Sequence, residues 1–171
     1  MRRLNVATSL LAALALSVTV AAPVMADTVS LRDPAGDARA RYDLTTIRAT
    51  NAVNRIAVTA RVGNLRGTGT QTVVLGIDPV RGETDYWFSS VRRANGRAND
   101  SLTGYTSDSA SPIDCNITTR WQLAKNLIRI SIPRACIEEQ GTLRFNLAMG
   151  AGNGTTGQPA DWTKALRVRQ D

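Results

Sequence analysis

Apolar and polar residues alternate with a period of two along much of this chain, and no other feature restricts the fold as strongly. The clearest runs are residues 55–62, 73–78 and 143–149. A period of two places successive side chains on opposite faces of a strand, whereas an amphipathic helix repeats its apolar residues every three or four positions. The sequence has no long stretch of helical periodicity, and we therefore predict an all-β protein.

Turn-forming residues divide the alternating runs into about ten short strands. Strong candidates are residues 55–62, 73–78, 115–123, 128–132 and 143–149, and weaker ones are 29–32, 42–49, 85–91, 102–105 and 164–168. A short Asn-containing turn at 124–126 predicts a hairpin, and 134–139 predicts one short helical turn. Evenly spaced strands of this length predict a single antiparallel β-sandwich over residues 27–171, of jelly-roll or immunoglobulin-like type.

Residues 1–26 have the three parts of a secretory signal peptide. Arg2 and Arg3 precede an uncharged stretch with an apolar centre, and Val24-Met25-Ala26 supplies small residues at the cleavage positions. A permanent anchor is the alternative, because a bilayer span needs about 20 apolar residues. Thr and Ser residues dilute this stretch, so we predict cleavage before Asp27, a secreted product and no transmembrane segment after cleavage.

The cysteine and histidine counts restrict the chemistry. The two cysteines, Cys115 and Cys136, predict a disulfide in an exported protein, with free thiols as the alternative. The chain has no histidine, which excludes Ser-His-Asp and Cys-His catalysis and histidine-ligated zinc, copper or haem. A resident metal would be a hard ion with oxygen ligands, and no other cofactor is expected.

The basic charge of the chain comes almost entirely from arginine. Lysine and arginine together number 21 against 14 acidic residues, and an excess of positive charge favours contact with polyanions. A GC-rich genome, which encodes arginine and alanine readily, explains the same composition without any function. We expect an actinobacterial source on this basis.

Three aspartates near the start of the predicted domain form a candidate calcium site. Asp33, Asp37 and Asp43 lie within eleven residues, around a Pro-Ala-Gly turn. Clustered carboxylates supply the oxygen ligands that calcium prefers, although the spacing is not that of an EF-hand. The alternative is a type I turn in which Asp33 bonds the turn backbone.

Consecutive aromatic residues suggest a sugar-binding strand. Because Tyr86, Trp87 and Phe88 follow one another, at least one ring must point outward unless both faces of the strand are buried. We expect Tyr86 or Trp87 to stack on a sugar, with burial in the core as the alternative. Trp121 is in phase with Cys115 and Ile117, and we assign it to the core.

A basic loop suggests a second ligand-binding region. Arg92, Arg93 and Arg97 form the densest basic cluster of the chain and would hold an anionic polymer. A solvated loop is the alternative. No nucleic-acid motif accompanies these arginines, which disfavours nucleic acid as the partner.

Paired carboxylates support a different class of function. Asp78, Glu83 and Asp85 bracket a predicted hairpin loop. Two carboxyl groups held about 5 to 9.5 Å apart across a cleft can perform acid–base hydrolysis. Solvated acids at a hairpin end are the alternative interpretation.

The layout resembles that of small secreted actinobacterial proteins. The residues that carry the resemblance are Asp33-Pro34-Ala35-Gly36-Asp37 followed by Asp43-Leu44, the run Val73 to Asp78 with the acidic–aromatic pair Asp85-Tyr86, and the segment Ser131 to Cys136. More distantly the chain is similar to family 9 carbohydrate-binding modules and DOMON-type domains. The resemblance implies a β-sandwich, an extracellular role and a Cys115–Cys136 disulfide. It transfers no binding site, because haem-binding DOMON domains use histidine.

Three functional hypotheses follow from the sequence. The first is a secreted, non-catalytic module that binds a glycan or another cell-envelope polymer, and the absence of a complete catalytic set favours it over an enzyme. The second is a carboxylate-based extracellular hydrolase. The third is a structural or inhibitory envelope protein. A glycan module should expose a flat row of aromatic rings, and a hydrolase should show two facing carboxylates in a cleft.

Overall fold

The computed structural model describes residues 27–138, 141–152 and 159–170. Within them are the strands β1 (Asp27–Arg32), β2 (Leu44–Asn51), β3 (Arg55–Val62), β4 (Gln71–Pro79), β5 (Asp85–Arg92), β6 (Ala98–Tyr105), β7 (Ala110–Pro112), β8 (Thr118–Gln122), β9 (Leu127–Pro133), β10 (Leu143–Ala151), β11 (Pro159–Trp162) and β12 (Leu166–Val168). Two turns of 3-10 helix, Leu123–Lys125 and Arg134–Cys136, precede and follow β9. The predicted signal peptide, residues 1–26, lies outside the described residues.

The strands form two antiparallel sheets. The smaller sheet has the order β1-β2-β3-β9-β8, and the larger has the order β11-β10-β4-β5-β6-β7, with β12 also paired to β10. Most consecutive strands pair with each other, and the chain changes sheet at the β3–β4, β7–β8 and β9–β10 connections. This architecture confirms the predicted all-β antiparallel sandwich.

The core lies between the inner faces of the two sheets. Alternation along each strand sends every second side chain inward, as in β3, where buried and exposed or half-exposed residues alternate without a break. The largest fully buried side chains are Tyr86, Phe88, Phe145, Leu44, Ile47, Ile56, Leu75, Ile77, Ile128, Ile132, Ile137 and Leu143. The outer faces are therefore left for polar residues and for the aromatic rings described below.

The predicted hairpin at 115–132 is confirmed. Strands β8 and β9 pair in antiparallel register, and Asn126 closes the turn in the left-handed conformation with φ 52°. The Asn126 side-chain oxygen also accepts a hydrogen bond from Leu65 N at 2.9 Å. Two short strands, β7 and β11, were not predicted, since neither shows apolar alternation.

The disulfide between Cys115 and Cys136 is present. The two Cα atoms are 6.1 Å apart, within the usual range for a disulfide. Cys115 lies in the segment that leads into β8, and Cys136 ends the 3-10 turn that follows β9. The bridge therefore joins the entry of this hairpin to its exit.

Among the residues that the structure describes, no helix has the length and apolar character required to span a membrane.

Candidate functional site

Three large aromatic side chains are exposed together on the outer face of the larger sheet. Trp87 of β5, Tyr105 of β6 and Trp162 of β11 each expose between 42% and 45% of their surface. The ring centroids of Trp87 and Tyr105 are 6.3 Å apart, and those of Trp87 and Trp162 are 6.5 Å apart. We refer to these three residues as the aromatic cluster.

The sheet brings Trp162 and Trp87 together across two intervening strands. Strands β11 and β5 are separated by β10 and β4, a distance of about 14 Å at the usual strand spacing. Centroids only 6.5 Å apart require both indoles to lean inward over those strands. Small side chains leave room for this, because the residues paired with Trp87 and Trp162 are Gly76 and Ala148.

Gly76 allows the close packing beneath the rings. A Cβ at position 76 would clash with Asn146 Oδ1, so the Asn146 amide lies directly over the glycine. That oxygen is buried and has no hydrogen-bond partner within the described ranges, although Asn146 points away from the core. Neighbouring side chains of the outer face must therefore cover it.

The three rings do not form the flat row expected of a glycan module. Trp87 meets Tyr105 at an interplanar angle of 66° and Trp162 at 72°, both in edge-to-face geometry. In such a cluster the exposed face of one ring lies at a steep angle to the neighbouring ring, so the two rings form the sides of a corner. It can enclose a single sugar ring or chain, whereas a flat crystalline surface would contact only part of it.

Tyr86 and Phe88 point into the core, opposite Trp87. Tyr86 is 1% exposed, and its hydroxyl accepts a hydrogen bond from Glu138 N at 3.2 Å. This corrects the expectation that Tyr86 can stack on a sugar, since no face of its ring reaches the surface. Trp121 is only partly buried, packs against the core as predicted, and donates a hydrogen bond to Ser90 Oγ at 3.1 Å.

The predicted basic cluster is divided between two faces of β5. Arg92 continues the inward-facing series of that strand, is buried, and donates to the Gly67 carbonyl at 3.3 Å. Its proposed role in holding an anionic polymer is wrong for this reason. Arg93 and Arg97 remain exposed in the turn between β5 and β6, too few to form a basic patch alone.

Two of the predicted hydrolase carboxylates lie near the aromatic cluster. Asp78 lies near the end of β4, two residues beyond Gly76, and Asp85 precedes Trp87 by two residues on the same outer face. Burial raises the pKa of Asp78, the charge of Asp85 raises it further, and the cross-strand partner Arg144 opposes the shift. Two neighbouring carboxyl groups beside aromatic rings are suited to accepting hydrogen bonds from sugar hydroxyls. Glu83, the third predicted acid, is exposed in the connecting loop.

An acidic cluster forms at the β11 edge of the larger sheet, and its membership differs from the predicted set. One carboxylate oxygen from each of Asp33, Asp37 and Asp161 lies within 4.8 Å of the other two. Asp161 belongs to β11 and is distant in sequence from the other two. Asp43 is not one of these three, but it is close enough for its charge to raise the pKa of Asp33 and of Asp161.

Backbone hydrogen bonds fix the acidic cluster in place. Asp161 Oδ2 accepts from Leu44 N at 2.6 Å, and Asp43 Oδ2 accepts from Gly36 N at 3.0 Å. Asp43, not Asp33, therefore bonds the turn backbone. The turn and the carboxylate cluster, which we treated as alternatives, occur together.

Burial and mutual repulsion both raise pKa values in this cluster, and burial is the larger cause. Burial raises the pKa of Asp33, and the charges of Asp161 and the other nearby aspartates raise it further. Burial also raises the pKa of Asp161, although hydrogen bonds from the N–H groups of Leu44 and Trp162 oppose the shift. A bound cation would relieve this repulsion.

A basic face covers the outside of the smaller sheet. Its six exposed arginines are Arg32, Arg48, Arg55, Arg61, Arg120 and Arg129. Within the five strands of that sheet, all of them described, Asp27 is the only acidic residue. An open groove of about 440 Å³ runs between Arg55, Arg120 and Arg129. Arg120 and Arg129 are direct cross-strand partners, an arrangement that costs stability because like charges face each other.

Several of these residues could not be found from the sequence alone. Tyr105, Trp162 and Asp161 join their partners only through the order of strands in the larger sheet. The basic face, in contrast, was predictable from the alternation, since each of its arginines occupies an outward position of a predicted strand.

No protein-family model matches the chain, and no curated protein matches it. The resemblance to family 9 carbohydrate-binding modules and DOMON-type domains therefore stays an expectation from the sequence.

Proposed function

We propose that this protein is a secreted, non-catalytic module that binds a glycan of the cell envelope through the aromatic cluster. The observation that carries the proposal is the contact of three exposed rings on one sheet face. Exposed aromatic groups of this size are costly to leave in water and commonly mark a binding surface. The disulfide and the predicted signal peptide are consistent with an extracellular site.

The polar groups around the rings suit a sugar ligand. Asp78 and Asp85 flank the cluster on one side, and Thr103, paired with Trp87, adds a hydroxyl on the same face. A pyranose presents apolar C–H faces and an equatorial rim of hydroxyls. The rings would contact the faces, and the carboxylates would accept hydrogen bonds from the rim. The angles between the rings favour a single chain over a crystalline surface.

Replacing Trp87 with alanine tests this proposal. We expect affinity for soluble cell-wall glycan to fall by at least about 30-fold, since a central aromatic anchor contributes about 2 kcal/mol or more. Binding by the unmodified protein should persist at high salt, because apolar contact is barely screened. Affinity electrophoresis and calorimetry at low and high salt measure both effects.

Val53→Ala is the matched control for the loss of an exposed apolar side chain. Val53 is the other large exposed apolar residue among those described and lies in the turn between β2 and β3. Its removal should leave glycan affinity unchanged. Equal affinities of the Trp87→Ala variant and the unmodified protein would contradict the proposal.

The basic face supports a second candidate ligand, an anionic envelope polymer such as a polyol phosphate. Six arginines with almost no neighbouring acid on the strands attract phosphate groups. We therefore assign the anion site to this face and no longer to Arg92, Arg93 and Arg97, the cluster expected from the sequence. The Arg120–Arg129 pair favours the candidate specifically. A repulsive pair weakens the free protein but is relieved when an anion binds between the two guanidinium groups.

Arg120→Glu tests the basic face through two opposite effects. The variant should be more stable by roughly 0.2–1 kcal/mol, because the introduced carboxylate would face Arg129 across the strands. Its binding to teichoic acid at low salt should fall about 10-fold or more, since the anion loses one partner and meets a like charge. Arg97→Glu makes the same charge change outside the face and should retain binding. Loss of binding in Arg97→Glu alone would instead assign the anion site to the turn between β5 and β6.

A further inference from the structure

We propose that Asp33, Asp37 and Asp161, supported by Asp43, bind one calcium ion, and that this ion fixes strand β11 and with it the position of Trp162. Calcium binding itself does not depend on the proposed glycan function, whereas its consequence for glycan affinity does. The site combines the first turn of the domain with its next-to-last strand.

The spacing of the carboxylates suits a calcium ion without rearrangement. Three oxygens lie within 4.8 Å of one another. Calcium binds oxygen at about 2.3–2.6 Å, so two ligands on opposite sides of the ion are separated by up to about 5 Å. Magnesium requires a near-octahedral arrangement and usually keeps several of its waters, so it suits a site of several carboxylates less well than calcium does. Zinc is disfavoured, because the chain has no histidine and both cysteines form the disulfide.

Two carboxylate oxygens at the site are buried and find no hydrogen-bond partner among the residues that the structure describes. Asp43 is only 5% exposed, and its Oδ1 has no partner while its Oδ2 is held by Gly36 N. Asp33 Oδ2 is also buried without a partner. A buried carboxylate oxygen left unpaired is costly. A cation at the cluster would compensate both groups. The unpaired Asp43 oxygen is independent of the clustering, because Asp43 is not one of the three clustered residues.

The protein itself supplies only a small compensating effect at Asp33 among the described residues. Lys164 acts on Asp33 in the stabilising direction, but its side chain is exposed. One exposed ammonium group faces four carboxylates, of which Asp43 and Asp161 are at most 7% exposed. A divalent ion would balance this charge far better than a lysine that remains in water.

Strand β11 connects the ion to the aromatic cluster. Asp161 points inward to the acidic cluster, and Trp162, the next residue, points outward to Trp87. In the described sheet β11 is a four-residue edge strand that pairs only with β10. Its second attachment is the hydrogen bond from Leu44 N to Asp161. An ion bound to Asp33, Asp37 and Asp161 would add a third attachment. Removal of the ion should therefore make the position of Trp162 in the aromatic cluster less fixed.

Calcium titration of the chelator-treated protein, without any glycan, tests the site. Calorimetry should give a Kd on the order of 10⁻⁴–10⁻³ M, as for other extracellular calcium modules. Melting in about 10 mM calcium should exceed melting in chelator by roughly 3–10 °C. Absence of both effects overturns the calcium site, whatever the outcome for glycan binding.

Asp33→Asn and Asp161→Asn separate ligand loss from misfolding. An asparagine side chain at 161 can still accept the Leu44 hydrogen bond. Both variants remove repulsion, so in chelator they should melt at or above the temperature of the unmodified protein. They should lose the calcium-dependent rise. Asp108→Asn, in the exposed turn before β7 at the opposite edge of the sheet, should keep it. A full calcium response in Asp33→Asn and Asp161→Asn would place the ion elsewhere and overturn the proposal.

The coupling to Trp162 has its own measurement. Calcium should change the near-ultraviolet circular dichroism of the paired indoles, and Trp162→Phe should abolish that change while calcium affinity is retained. Calcium binding without a Trp162-dependent signal overturns the coupling. Where the signal is present, glycan affinity should fall about 5-fold or more in chelator, since one ring of the cluster is no longer held in place. Calcium binding with no glycan affinity under any condition would count against the proposed function and leave the metal site standing.

Discussion

The double variant Cys115→Ser with Cys136→Ser should lose about 3 kcal/mol of its free energy of unfolding. The bridge spans 21 positions, and closing a loop of that length restricts the unfolded chain by about this amount in the chain-entropy model. For a domain of this size the melting temperature should fall by roughly 6–12 °C. Calorimetry of the oxidised protein, the reduced protein and the double variant measures the effect.

The position of the disulfide also predicts which part of the fold is destabilised first when the bridge is removed. Strand β8 has five residues and, in the part of the chain that the structure describes, lies at the edge of the smaller sheet and pairs only with β9. Its inward contact is Trp121, which donates to Ser90 on the opposite sheet. Without the bridge we expect amide exchange to accelerate in β8 before the central strands β3 and β4. A melting temperature within roughly 2 °C of that of the oxidised protein would contradict the prediction, and detection of two free thiols in the untreated protein would remove its basis.

The fold was largely predictable because local alternation determines it. Strand β3 was predicted with its observed ends, Arg55 and Val62, since its inward residues are all apolar and its outward residues nearly all polar. Strand β11 was missed because four residues beginning with proline carry no such alternation. It becomes a strand only by pairing with β10, a tertiary effect that local propensity does not contain.

The candidate sites were predictable only in part. Trp87 was found because three consecutive aromatic residues cannot all face the core. Arg92 was assigned wrongly, although the same period-two argument places it in phase with Tyr86 and Phe88 and therefore inward. Two consecutive arginines at the end of a strand point to opposite faces, so Arg92 and Arg93 cannot both face the solvent from the same side of β5. Asp161 could not be found, because its approach to Asp33 depends on which strands form the sheet edges.

The outcome for Asp33 and Asp43 shows how two sequence interpretations can both apply. The Pro-Ala-Gly segment was predicted either as a turn or as a loop that clusters carboxylates. In the structure the turn is closed by Asp43 through Gly36 N, which leaves Asp33 unused by the turn backbone. The residue expected to stabilise the turn is thereby available to the acidic cluster.

Gly76→Ala should disrupt the aromatic cluster while leaving the fold nearly as stable. The new Cβ would clash with Asn146 Oδ1, so the Asn146 amide must swing away from the sheet. That movement brings it against the leaning rings of Trp87 and Trp162. We expect the circular dichroism signal of the coupled indoles to fall sharply and glycan affinity to decrease by at least about 30-fold, as for the loss of a central anchor.

The stability cost should be small because the displaced atom ends a short, rotatable side chain on the outer face. Alanine also suits a strand interior somewhat better than glycine. The free energy of unfolding should therefore change by less than about 1 kcal/mol. Chemical denaturation measures this change, and a much larger loss would mean that the backbone, and not Asn146, absorbs the added methyl group.

A compensating substitution distinguishes crowding beneath the rings from any other effect of Gly76→Ala. Residues 76 and 146 are direct cross-strand partners, so adding Asn146→Gly gives the methyl group at 76 an empty position to face. The double variant should recover the indole signal and most of the glycan affinity. Asn146→Gly alone should retain both, since it only enlarges the space. If the double variant remains as impaired as Gly76→Ala, the close packing of Gly76 and Asn146 is not what positions Trp87 and Trp162.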